Sequence, residues 1–159
     1  MIIYFPKIIC CLVIFFFFYL YIIFTTGCNK NTQKFTLDKK YYNTGEFIKV
    51  KSDDLLKLDN ENYILYAYNN YCAFAIPCEN VFKEFMNKYK IDFLSITFDE
   101  FKNTKFYKEI KYAPSIIIIK EGKIVTYLDP NSDNDFEKYQ DADKLGEWIK
   151  NYVKVSESE

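Results

Sequence analysis

Hydrophobic residues fall along this chain in three regimes. Ile8 to Phe24 (IICCLVIFFFFYLYIIF) is an unbroken apolar and tyrosine-bearing run. Residues 29–45 (NKNTQKFTLDKKYYNTG) are mostly polar and follow no period, which predicts a tether. From Glu46 onward the pattern is that of packed elements. Phe47 to Val50 alternates as a short strand, and Ser52-Asp53-Asp54 offers an N-cap to a helix carrying Leu55, Leu56 and Leu58. Tyr63 to Tyr68 (YILYAY) is nearly all apolar, which predicts a strand covered on both faces. Val81, Phe82, Phe85, Met86 and Tyr89 recur on one helical face. Ile91 to Phe98 reads as a strand. A second helix is predicted from Asn103-Thr104 up to Pro114, because a proline disfavours helix at the residue before it. Ser115 to Lys120 (SIIIIK) is a buried strand, which Glu121-Gly122-Lys123 turns back into Ile124 to Leu128 as a hairpin. Beyond a polar loop, Asp129 to Gln140, a last helix carries Leu145, Trp148, Ile149, Tyr152 and Val153.

The order β-α-β-α-β-α-β-β-α predicts one α/β domain over residues 46–154, a mixed sheet with helices on both faces, and a frayed tail at 155–159. The 159 residues, half of them hydrophobic, suffice for one domain with a sizeable core. Charge then removes several function classes. The 21 basic residues, all Lys, nearly balance 22 acidic ones, so there is no electrostatic case for nucleic acid. No His is present, which excludes Ser-His-Asp and Cys-His catalysis and His-ligated zinc. With four Gly and no Gly-rich phosphate loop, no cofactor is expected. Asp129 to Asp135 spaces oxygens as a calcium loop does. Asn134 stands where such a loop needs Gly, and Gln140 where it needs a bidentate carboxylate, so the segment reads as a solvated acidic loop.

The apolar run 8–24 would span roughly 25 Å as a helix, slightly less than the ~30 Å hydrocarbon core of a bilayer. Lys7 precedes it and Thr25-Thr26-Gly27-Cys28 follows, the parts of a secretory signal. The ending TTGC resembles a bacterial lipobox, which implies lipidation of Cys28. Thr25 departs from the aliphatic residue usual in that pattern. An uncleaved anchor is the other reading of residues 1–28, and either one holds the chain at a membrane. Lys30, Lys34, Lys39 and Lys40 beyond the run oppose the positive-inside tendency. The signal-like order nonetheless predicts an outward-facing domain. Cys10 and Cys11, inside the run, read as small hydrophobes.

In its body the chain resembles the thioredoxin family over about residues 46–154. Cys72 follows the strand YILYAYNNY at the entry to a long helix, and Pro114 in YAPSIIIIKEGK stands where that family has a cis-proline opposite its redox Cys. Secreted and lipid-anchored members, among them bacteriocin transport accessory proteins, are similar in layout. The resemblance implies thiol–disulfide exchange on a protein or peptide substrate. Tyr71-Cys72 would head the motif, and Ala113 and Pro114 would shape the substrate groove. Two features depart from the family. Ala75 stands at the second Cys position, so the next thiol is Cys78, and the acidic residue six positions before the first Cys falls on Tyr66.

Cys72 and Cys78 could pair only if the segment between them is not helical throughout. A continuous helix separates them by roughly 9 Å of rise, whereas disulfide Cα atoms lie about 4.4–6.8 Å apart. Pro77 favours a helix that starts there, which places Cys78 in the first turn, where the helix dipole lowers a thiol pKa. Cys78 also lies on the stripe of Val81, Phe82 and Phe85, which predicts a small core residue. Both readings stand at this level. The expected activity is exchange through Cys72 with Cys78 as partner; the alternative is a non-catalytic thioredoxin-like lipoprotein that binds an export or folding partner.

Overall fold

The run YILYAY forms the spine of the domain. In the computed structural model, which describes residues 33–69 and 77–155, it is strand β2 (Tyr63–Tyr68), buried at every position but the last. Successive strand side chains point to opposite faces, so this burial requires cover on both sides of the sheet. Four more strands complete the sheet: β1 (Phe47–Lys49), β3 (Phe93–Thr97), β4 (Ser115–Lys120) and β5 (Lys123–Tyr127), in the order β1-β3-β2-β4-β5. β1, β3 and β2 run parallel, with Leu65 beside Leu94, while β4 is antiparallel to both β2 and β5. The hairpin joining β4 and β5 turns on Glu121 and Gly122, both with positive φ (49° and 66°), as a tight two-residue turn demands. A Cβ on Gly122 would also meet the Asp59 backbone, so only glycine fits there.

Among the described residues four α-helices flank the sheet: α1 (Ser52–Leu55), α2 (Cys78–Tyr89), α3 (Phe98–Phe101) and α4 (Ala142–Lys150). On α2 the predicted stripe of Val81, Phe82, Phe85, Met86 and Tyr89 is buried. Phe82 meets Tyr66 edge-on at 5.1 Å between ring centroids, and Phe85 lies 6.0 Å from Phe93. α4 begins at Asp141, whose carboxylate accepts from the N–H groups of Asp143 (2.8 Å) and Lys144 (3.0 Å), and buries Leu145, Trp148 and Ile149.

Three local expectations change. Residues 33–45 are part of the packed domain, not a tether. Phe35, Leu37 and Tyr41 are buried, and Phe35 exchanges backbone hydrogen bonds with Tyr152 and Lys154. Buried Asp92 accepts from the N–H groups of both Gly45 and Glu46 at 2.8 Å, and Gly45 (φ 88°) lies so close to the Met86 carbonyl that a Cβ would stand 2.6 Å from it. These apolar residues fill the core singly, without a period, so a periodicity reading passes over them. The second predicted helix is instead α3, begun by Thr97, whose Oγ1 accepts from Glu100 N–H, followed by a 3-10 turn at Lys105–Lys108. Only Phe106 and Ile110 of residues 103–113 are buried, an apolar face too short to hold a longer helix. Lys51, not Ser52, is the N-cap of α1, and the cap bond comes from Asp54, which accepts from Lys51 N–H at 3.1 Å.

Among the described residues no helix is long and apolar enough to cross a membrane. The apolar run 8–24 and Cys28 lie outside the described residues.

Candidate thiol site at the Pro114 loop

The end of β2, the start of α2 and the loop before β4 converge where the sequence places its chemistry. Pro77 is the N-cap of α2 and Cys78 its first residue, as expected of a helix opened by that proline. Cys78 is also 1% exposed and part of the core, so the first-turn and buried-stripe readings hold together. Tyr71 and Cys72 lie outside the described residues. Ala113–Pro114 is a cis peptide, as the resemblance implied, with Pro114 buried and Ala113 half-buried.

Three consecutive carbonyls of this loop each accept a hydrogen bond from a side chain. Ser115 Oγ donates to Tyr112 O at 2.8 Å, Asn69 Nδ2 to Ala113 O at 3.3 Å, and Tyr139 Oη to Pro114 O at 2.8 Å. The Tyr139 hydroxyl lies equally close, 2.8 Å, to Leu128 O, so one proton is shared between the two carbonyls. Burial pushes the Tyr139 phenol well above its ordinary value; Asp135 and, more weakly, Cys78 add to the rise, while a bond from the Ser115 side chain opposes it. Tyr139 joins the proline loop to the exit from β5, and its ring packs 6.1 Å from that of Phe82 on α2. The Asn69 bond ties the residue that follows β2 directly to the proline loop.

Tyr66, at the place of the family's acidic residue, is buried in an aromatic cluster. Its ring stacks on Tyr68 (5.5 Å) and packs against Phe47 (5.4 Å) and Phe82 (5.1 Å). A phenol in that setting packs the core and offers no carboxylate for proton relay. Tyr139 and Asn69 escaped the sequence reading. Tyr139 sits in what reads as a polar loop, and its only signal was an aromatic residue three positions after Phe136, the spacing of the 3-10 turn at Phe136–Tyr139.

A groove of about 350 Å³ lies elsewhere, lined by Tyr41, Ile48, Val50, Leu58 and Leu94 with Lys40, Lys57 and Asp54 at its rim. It contains no thiol, so chemistry rather than cavity size selects the proline loop. No group of three or more Cys, Asp or Glu among the described residues is arranged to hold a metal ion.

No family model matches the sequence, and no curated protein does. Solved structures do resemble it. A thioredoxin from Schistosoma mansoni is 24% identical and matches over 70% of this chain and 99% of its own, with a TM-score of 0.50. A point-mutant thioredoxin from Halobacterium salinarum is 18% identical over 72% of this chain and 96% of its own, also at 0.50. Thioredoxin f from spinach chloroplast, in its long form, is 18% identical over 74% and 94%, again at 0.50. The chain thus has a thioredoxin-like fold: a five-stranded mixed sheet with flanking helices.

Proposed function

We propose that this chain is a membrane-tethered, outward-facing thiol–disulfide exchange protein that works through Cys72. The observation that supports the reading is the bond from Asn69, three positions before Cys72 in the sequence, to Ala113 O of the cis-proline loop in a thioredoxin-like fold. In the reaction, the Cys72 thiolate attacks one sulfur of a substrate disulfide. The substrate S–S bond breaks, a mixed disulfide forms, and the first substrate thiolate leaves. A second thiol, Cys78 or one supplied by another protein, then attacks the Cys72 sulfur and expels the second substrate thiolate. Two protein thiols are oxidised, one disulfide is reduced, and the protons of the attacking thiols pass to the departing thiolates. Pro114 and Ala113 shape the groove for an extended substrate peptide. Residues 1–28 supply the tether, through a retained span or through lipidated Cys28, which the apolar run and the TTGC ending support.

A second reading is a partner-binding module without turnover. The burial of Cys78 and the aromatic packing at Tyr66 favour it, since both remove parts of a dithiol mechanism. Glutathione disulfide separates the two. Exchange predicts a mixed disulfide at Cys72 that accumulates in Cys78→Ser and does not form in Cys72→Ser. A chain that never acquires the adduct through Cys72 is a binding module.

A further inference from the structure

The three side-chain bonds to the proline loop are unequal. Those at its two ends are short, at 2.8 Å, and come from the buried Tyr139 and the buried Ser115. The middle one, on Ala113, is 3.3 Å long and comes from an exposed residue, Asn69. The loop is thus fixed at Tyr112 and Pro114 and only lightly held between them. The antiparallel register that sets Ala67 opposite Ser115 would bring Asn69 opposite Ala113, two residues further on. β2 and β4 end before that pair, and the Asn69 side chain takes the carbonyl that a ladder bond would otherwise have used. The Ala113 N–H has no acceptor among the described residues.

We infer that Asn69 is a displaceable latch on the Ala113 carbonyl and sets specificity for extended peptides. An extended segment pairs with a residue through both its N–H and its C=O. At Ala113 the first is available and the second is engaged. A peptide that docks in extended form competes with the Asn69 amide for this carbonyl, whereas a small disulfide that makes no strand pairing does not. Because Tyr139 and Ser115 hold the flanking carbonyls, removing the Asn69 amide frees the carbonyl without releasing the loop. A neutral, solvent-exposed hydrogen bond contributes on the order of 1 kcal/mol, about a fivefold change in an equilibrium constant.

The inference rests on reading the proline loop as the peptide groove of a thiol-exchange protein, and two probes keep the two ideas apart. One is a short linear peptide whose cysteine carries a thionitrobenzoate leaving group; the other is the small symmetric aromatic disulfide that releases the same chromophore. In the full chain, Asn69→Ala and the near-isosteric Asn69→Leu should each raise the ratio of kcat/KM for the peptide to that for the small disulfide about three- to tenfold, through a lower peptide KM. An unchanged or lowered ratio of peptide to small-disulfide rates in both variants overturns the latch. If neither probe reacts through Cys72 in the parent chain, the exchange reading fails. The latch is then judged by fluorescence anisotropy with a labelled copy of the peptide carrying Ser for its Cys. Tighter binding by both variants sustains it; equal or undetectable binding overturns it.

Discussion

An asparagine and a buried tyrosine act at each end of β2, the second tyrosine being Tyr139 from the 3-10 turn, and they are used in opposite ways. At the N-terminal end Asn62 is engaged on every side. Its backbone N–H donates to Asp38 Oδ2 at 2.6 Å, its amide donates to Thr36 O at 3.0 Å, and its Oδ1 accepts from Glu121 N–H at 3.0 Å. One residue thereby joins the first described segment, β2 and the β4–β5 turn. Beside it Tyr63 is buried with a hydroxyl that has no hydrogen-bond partner among the described residues. At the C-terminal end the tyrosine is the well-bonded member, with Tyr139 between two carbonyls, and the asparagine makes the long exposed bond. The lesson is that tight polar bonding closes the end that only has to hold together, while at the Pro114 end a buried clamp leaves the carbonyl of half-buried Ala113 lightly held.

That contrast can be broken from either side. Tyr139→Phe removes a hydroxyl from two buried carbonyls and should lower stability by about 1–3 kcal/mol in urea unfolding, the largest effect expected here. Alkaline pH tests the same group. Its folded-state pKa lies above the ordinary phenol value of 10.0, so below pH 10 both folded and unfolded chains keep the proton. Above it the unfolded chain loses the proton first, and stability falls as pH rises. Tyr139 alone should contribute a loss of about 1 kcal/mol over the first pH unit above 10, and the decline should be shallower in Tyr139→Phe. Asn62→Ala, at the opposite end, should cost about 1 kcal/mol by the same urea measurement. Tyr63→Phe has the opposite sign: it deletes a buried hydroxyl with no partner, so thermal unfolding should show unchanged or slightly raised stability, by up to about 1 kcal/mol.

The sheet was legible because its strands are dense in β-branched and aromatic residues bounded by clear turn signals. The strands YILYAY and SIIIIK occupy the residues that their patterns predicted. Pro77 marked the start of α2, and Pro114 marked the loop, since a proline constrains the backbone wherever it falls. Less was visible where structure depends on single residues. Phe35, Leu37 and Tyr41 enter the core one at a time, and the second predicted helix offers the core only Phe106 and Ile110. The clamp at Pro114 joins Asn69, Ser115 and Tyr139 from separate segments. No local pattern records such a meeting, because the bonds run between residues as far apart as 69 and 113.

The central claim, that the Pro114 end of the sheet is a thiol-exchange site, is tested most directly on the full chain in detergent. Thiols would be counted by alkylation and intact mass across a series of redox buffers, with peptide mapping to assign Cys72 and Cys78. The account predicts that Cys72 changes state reversibly at a potential well above about −300 mV, the level below which structural disulfides typically lie. A Cys72 that keeps one state at every poise, or stays silent toward disulfides while Cys78 reacts, would contradict it.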